Sequence, residues 1–112
     1  MNPIDLILPD GSAVYNRLFR TTDPAYLTQD VLAVRLPNGR MIDAGWFPEH
    51  DPAGSYLITI SGREGSLINE LPAPDADTVK KYVELLASVY SEEAINVAAS
   101  GAVQDARFEV AA

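Results

Sequence analysis

The dipeptide Asn38-Gly39 is the strongest local signal in the chain, because it lies between two apolar runs. Asn and Gly both tolerate positive φ, so together they fit a two-residue type I′ turn between antiparallel strands. Such a turn sets the register by counting outward, which places Leu36 opposite Met41. We therefore predict a hairpin here, within a meander of three consecutive antiparallel strands that spans Gln29 to Ser61.

The side-chain alternation of these predicted strands gives two faces, neither of which is polar. One face carries Val31, Ala33, Ile42, Ala44 and Trp46. The other carries Leu32, Val34, Leu36 and Met41 around the carboxylate of Asp43. We expect a helix to cover the face with the two alanines, since small side chains allow a close approach.

The second face then needs other cover, because a monomer seldom exposes a large contiguous apolar patch. We predict self-association as a two-fold homodimer through Leu32, Val34, Leu36 and Met41. The alternative is intramolecular, with the N-terminal hairpin or the segment from Ser91 to Ala112 folded over the same residues.

The rest of the chain predicts an α+β fold in a single domain, 1–112. The sheet has four to six antiparallel strands, and one main amphipathic helix, Asp75 to Tyr90, packs on one face. A short second helix is expected after Ser91, although that segment also fits extended structure. Further strands are expected at Ile4–Leu8, Ala13–Arg20, Ser66–Leu71 and Arg107–Val110.

Charge and composition exclude some classes of function. Sixteen acidic and eight basic residues give a net charge of −8, which argues against nucleic-acid binding because phosphate contacts require clustered Lys and Arg. The chain has no cysteine, and its first residues lack the pattern of a signal peptide. No apolar run is long enough for a membrane span, so we expect a cytoplasmic protein that contacts no membrane.

The loop from Trp46 to Tyr56 holds the candidate site. Its aromatic and polar side chains predict either a recognition patch or simple packing at the rim of the core. The candidate binding residues are Trp46, Phe47, Glu49, His50, Asp51 and Tyr56.

No catalytic residue is predicted, although His50 is the only histidine. A nucleophile elbow is absent, and the consecutive Glu49, His50 and Asp51 match no metal-binding signature. The chain has no phosphate-binding glycine motif. We therefore expect neither a metal nor a cofactor.

The run Gly45 to Tyr56, G-W-F-P-E-H-D-P-A-G-S-Y, follows Asp43 and precedes a proline and an amphipathic helix. It resembles small bacterial domains over roughly Asp30 to Tyr90. The resemblance implies one compact domain and indicates no activity.

These observations favour a small, acidic, non-enzymatic protein-interaction module that forms homodimers and binds an unidentified protein partner. The alternative is a small enzyme or ligand-binding domain that uses the Trp46 to Tyr56 loop.

Overall fold

The structure of the protein is a computed structural model that describes the backbone of residues 1–99 and the side chains of residues 1–91. Five strands form one antiparallel sheet in sequential order, and one main helix packs against it. This confirms the predicted α+β class. The elements are β1 (Ala13–Asn16), a 3₁₀ helix (Pro24–Tyr26), β2 (Leu32–Arg35), β3 (Met41–Phe47), β4 (Ser55–Ser61), β5 (Leu67–Ala73) and α1 (Ala76–Ala99).

The hairpin between β2 and β3 forms as predicted, but its loop has three residues. The Leu36 N–H donates to the Arg40 carbonyl at 2.8 Å, and the Gly39 N–H donates to the Leu36 carbonyl at 2.9 Å. Pro37 thus occupies the second position of a turn, where its fixed φ is favourable. Gly39 has a φ of 90°, so the turn is followed by a left-handed glycine, as in a hairpin with a bulge.

The predicted register is therefore wrong by one residue. Val34 pairs with Ile42, and Arg35 pairs with Met41. A slip of one residue moves each side chain of a strand to the other face relative to its neighbour. Three residues of the predicted self-association surface consequently lie in the core: Leu32, Val34 and Leu36. Met41 alone points away from it, and Ala44, not Ala33, lies on the buried face.

Helix α1 covers that buried face. It begins after Asp75, whose carboxylate accepts hydrogen bonds from the Thr78 N–H at 2.8 Å and the Thr78 hydroxyl at 2.6 Å. This is an N-cap, and it satisfies a backbone donor that the helix cannot. Val79, Val83 and Leu86 follow at helical spacing and are buried against the sheet, while Tyr82, which helical spacing predicts to be buried, is partly buried.

The helix continues without a break past Tyr90 to Ala99. The predicted separate helix after Ser91 is therefore wrong, because no proline or glycine interrupts the sequence before Ala99. The strand predicted at Arg107–Val110 lies outside the described residues.

The N-terminal segment is not a strand, contrary to expectation, and it runs beside α1. The Ile7 N–H donates to Glu84 at 2.7 Å, and Lys80 donates to the Asp5 carbonyl at 2.8 Å and to Glu84 at 2.6 Å. Burial acts to raise the pKa of Glu84, but these hydrogen bonds and the charge of Lys80 outweigh it and lower the pKa. Ile4 alone bonds to the segment around β1, since its N–H donates to the Leu18 carbonyl at 2.8 Å and its carbonyl accepts from the Asn16 side chain at 2.7 Å.

The two edge strands also differ from the prediction in length. β1 ends at Asn16 and pairs with β2, whereas the predicted strand continued to Arg20. β5 confirms the strand predicted at Ser66–Leu71 but extends to Ala73 and includes Pro72. Proline is tolerated there because the edge strand has an unpaired side.

Candidate binding sites

The face of the sheet that points away from α1 is one candidate surface. We call it the open face, and its side chains are exposed or partly exposed. Strand pairing assigns to it Tyr15, Ala33, Arg35, Met41, Asp43, Leu57 and Thr59. Its apolar members come from four neighbouring strands, and Arg35 and Asp43 lie among them.

The open face carries two charges of opposite sign. Asp43 lies opposite Ala33 on one side and opposite Thr59 on the other. Partial burial raises its pKa above the usual 3.8, and the negative charge of Asp30 raises the pKa further. Within residues 1–91, the side chains of Asp43 and Arg35 make no hydrogen bond and no ion pair.

The backbone of Gln29 closes one end of the open face. Its carbonyl oxygen lies 2.0 Å from the position that a Cβ on Gly45 would occupy. Only glycine fits at this position, because that distance is much shorter than van der Waals contact. The same crossing segment brings Asp30 close enough to act on Asp43.

The loop between β3 and β4 was predicted as a binding site, and hydrogen bonds hold it in place. The indole N–H of Trp46 donates to the Asp51 carbonyl at 2.7 Å. The Asp51 carboxylate accepts from the Ala53 N–H at 2.9 Å. The loop thus packs on the indole ring that precedes it.

Two further contacts fasten this loop to the segment before β2. Glu49 accepts from the Gln29 N–H at 3.1 Å. His50 Nδ1 lies 2.7 Å from the Pro24 carbonyl, and because a carbonyl only accepts, Nδ1 carries the proton and donates. These side chains therefore hold two segments together, and their predicted binding role remains a prediction.

A cleft of about 550 Å³ opens beside the N-terminus of α1. The rings of Trp46 and Tyr56 meet edge to face with centroids 4.8 Å apart. The lining residues are Arg20, Thr21, Thr22, Leu27, Trp46, Pro52, Tyr56, Pro74, Asp75, Ala76 and Asp77. Two of the predicted binding residues are among them, whereas Phe47, Glu49, His50 and Asp51 are not.

Tyr56 is the most distinctive residue of this cleft. It is only 3% exposed, and its hydroxyl makes no hydrogen bond within the described residues. Among those residues, the only fully buried side-chain polar atom without a partner is Ser91 Oγ. The Tyr56 hydroxyl therefore reaches solvent, and the cleft is the opening that it lines. Burial raises the pKa of Tyr56, as does the charge of Asp75, so the phenol is neutral at physiological pH.

Sequence reasoning missed the residues that complete the cleft. In the sequence, Asp75 and Asp77 belong only to the start of the predicted helix, and Arg20 belongs to the predicted strand Ala13–Arg20. Arg20 Nε lies 2.9 Å from Asp77 Oδ1 across the rim. This contact joins residues far apart in the sequence, so no local pattern indicated it.

The part of the chain that the structure describes lacks two features, a membrane-spanning helix and a cluster of metal ligands. Within residues 1–99, no helix has the length and apolar character to span a membrane. The same part of the chain contains no group of three or more His, Cys, Asp or Glu side chains that could hold a metal ion.

Comparison with known proteins gives no relative: no protein-family model, no curated protein and no solved structure matches the chain. The fold and the two surfaces are therefore the basis for a functional proposal.

Proposed function

We propose that this protein is a small, non-enzymatic protein-interaction module that self-associates through its open face. The observation that carries the proposal is a sheet face with exposed apolar side chains and two charges of opposite sign that have no partner within residues 1–91. A cytoplasmic location is part of the proposal, and the absence of cysteine supports it.

The apolar side chains supply the attraction. Tyr15 is half exposed, and it lies directly opposite Ala33, while Met41 and Leu57 continue the patch across the next strands. The five strands have four to seven residues, and with strands about 4.8 Å apart and a rise of about 3.3 Å per residue the face covers roughly 460 Å². Two copies would bury about 900 Å², which is the size of a weak, transient interface. The expected dimer is therefore weak, with a dissociation constant on the order of micromolar to tens of micromolar.

The charges supply the orientation. A two-fold axis makes each contact occur twice, so a surface must be complementary to itself. Arg35 of one copy can meet Asp43 of the second, and Arg35 of the second then meets Asp43 of the first. Such pairing would favour the ionised carboxylate and lower the pKa that burial and Asp30 raise in one chain. The dimer would therefore be favoured above the pKa that Asp43 has in the single chain, and it would weaken as the pH falls through that value.

Sedimentation equilibrium over a range of concentrations tests the proposal. At concentrations well above the dissociation constant, the mass should approach twice that of the 12.1 kDa chain. Arg35→Asp should weaken the dimer about tenfold or more, because it places like charges in contact. The double variant Arg35→Asp with Asp43→Arg should restore association, since it exchanges the two charges.

Lys81→Asp is the matched control, because it makes the same change of charge at an exposed position on α1. It should leave the dissociation constant within about twofold of wild type, apart from general repulsion. The mass of a single chain at every concentration up to about 1 mM would refute self-association. Failure of the charge exchange to restore binding would refute the orientation.

A further inference from the structure

We infer that the cleft beside the N-terminus of α1 is a binding site for a small organic amine, either a free molecule or the side chain of a lysine. This site is separate from the open face, because its residues come from the covered side of the sheet, from the connections between strands and from the start of α1. The two proposals therefore stand or fall independently.

The floor of the cleft suits an apolar group. Aromatic, aliphatic and proline side chains make up the larger part of its wall. The volume of about 550 Å³ is within the usual range for small-molecule sites, roughly 300 to 1,000 Å³. The cleft can therefore accept a compact ring or an aliphatic stem of a few carbons.

The hydroxyl of Tyr56 is a hydrogen-bonding group in the wall of the cleft. The hydroxyl of Tyr56 has no partner within the described residues, although the rest of the residue is buried. Because this hydroxyl reaches the solvent of the cleft, a ligand can replace the water that hydrogen-bonds to it. The neutral phenol oxygen can accept a hydrogen bond from an ammonium group.

The charges at the rim favour a cation. Two carboxylates, Asp75 and Asp77, face one guanidinium, Arg20. The bonds from Thr78 use only Asp75 Oδ1, so Oδ2 is available to a ligand. The Arg20–Asp77 pair is about two-thirds exposed, and such pairs contribute little and open readily.

Two further terms bear on the sign of the ligand charge. The positive end of the helix dipole opposes a cation, but the N-cap Asp75 and Asp77 in the first turn offset it. The chain carries a net charge of −8, which raises the local concentration of cations at its surface. Aromatic rings in the wall add an attraction that anions lack.

Trp46 provides a direct readout, since it is the only tryptophan in the chain and it lines the cleft. Titration with benzylamine should change the Trp46 fluorescence in a saturable manner, with a dissociation constant on the order of millimolar. Benzyl alcohol and benzoate have a similar size, and each should bind at least about tenfold more weakly than benzylamine. Equal or tighter binding of benzoate or benzyl alcohol than of benzylamine would overturn the inference.

Three variants locate the binding. Tyr56→Phe keeps the ring and removes the hydroxyl, and Asp75→Asn keeps a capping residue and removes the charge. Each should weaken benzylamine binding about fivefold or more, which is the effect of losing one charge-assisted contact. Asp10→Asn removes the same charge from an exposed turn and should have no effect. If Asp75→Asn and Asp10→Asn behave alike, the assignment to this cleft is wrong.

The source of the amine can be resolved with a second probe. Nα-acetyl-lysine methylamide presents a lysine side chain without a free backbone amine. Tighter binding of this probe than of benzylamine would assign the cleft to a lysine of a protein partner, and the reverse order would assign it to a free amine. Failure of both probes to bind would overturn the inference.

Discussion

The covered face and the open face of the sheet are made by alternate residues of the same strands, yet they have different roles. In β4, Ile58 and Ile60 are fully buried, whereas Leu57 and Thr59 are partly exposed. The covered face is exclusively apolar at its centre and meets the buried stripe of α1. The open face mixes apolar residues with charges. The difference shows that the register between β2 and β3 determines which residues stabilise the fold and which remain available for binding.

The largest expected effect comes from placing a charge on the covered face. Val34→Lys should prevent cooperative folding, since an unpaired charge in the core costs several kcal/mol. Met41→Lys places the same side chain on the open face and should leave the fold intact while it prevents self-association. Circular dichroism during thermal unfolding distinguishes the two variants. A folded Val34→Lys beside an unfolded Met41→Lys would reverse the assignment of the faces.

A smaller effect is expected from truncation on the helix. Leu86 is 8% exposed and belongs to the core, whereas its neighbour Leu85 is 58% exposed. Leu86→Ala should lower the free energy of unfolding by about 2–5 kcal/mol through lost burial and a residual cavity. Leu85→Ala should change it by about 0.5 kcal/mol or less. Similar denaturation midpoints for the two variants would show that α1 does not pack on the sheet in this orientation.

Much of the fold could be predicted from the sequence because its signals are local. The Asn38-Gly39 pair marks a hairpin, and the apolar spacing after Asp75 marks a helix that a carboxylate can cap. The predicted register between β2 and β3 is wrong because Pro37 adds a third residue to the loop. The pattern itself held a clue, since the observed register places Arg35 and Asp43 on one face and gathers the large aliphatic residues on the other.

The predicted end of the main helix at Tyr90 is wrong for a different reason. The sequence Ser91-Glu92-Glu93 has the composition of a new helix start, but the same residues are compatible with an uninterrupted helix. Without a proline or glycine to stop it, α1 continues. A capping sequence such as Ser91-Glu92-Glu93 indicates a new helix only where the preceding helix has already ended.

The candidate sites were predictable only in part. The clustering of Trp46 and Tyr56 around one loop correctly indicated that these two aromatic residues lie together. Arg20 and Asp75 meet them only because the sheet brings distant segments to one end. Arg20 and Asp75 share no periodic sequence pattern with the aromatic residues, so the sequence alone does not show that they lie together.

The most direct test of the two faces is the reactivity of single cysteines in a chain that has none of its own. Ala33→Cys and Val34→Cys are adjacent in β2 but lie on opposite faces. At low protein concentration, a thiol reagent should label Ala33→Cys rapidly, and Val34→Cys only as fast as the fold opens. Raising the concentration should protect Ala33→Cys through self-association and leave Val34→Cys unchanged. Rapid labelling of Val34→Cys with protection of Ala33→Cys at every concentration would contradict the account.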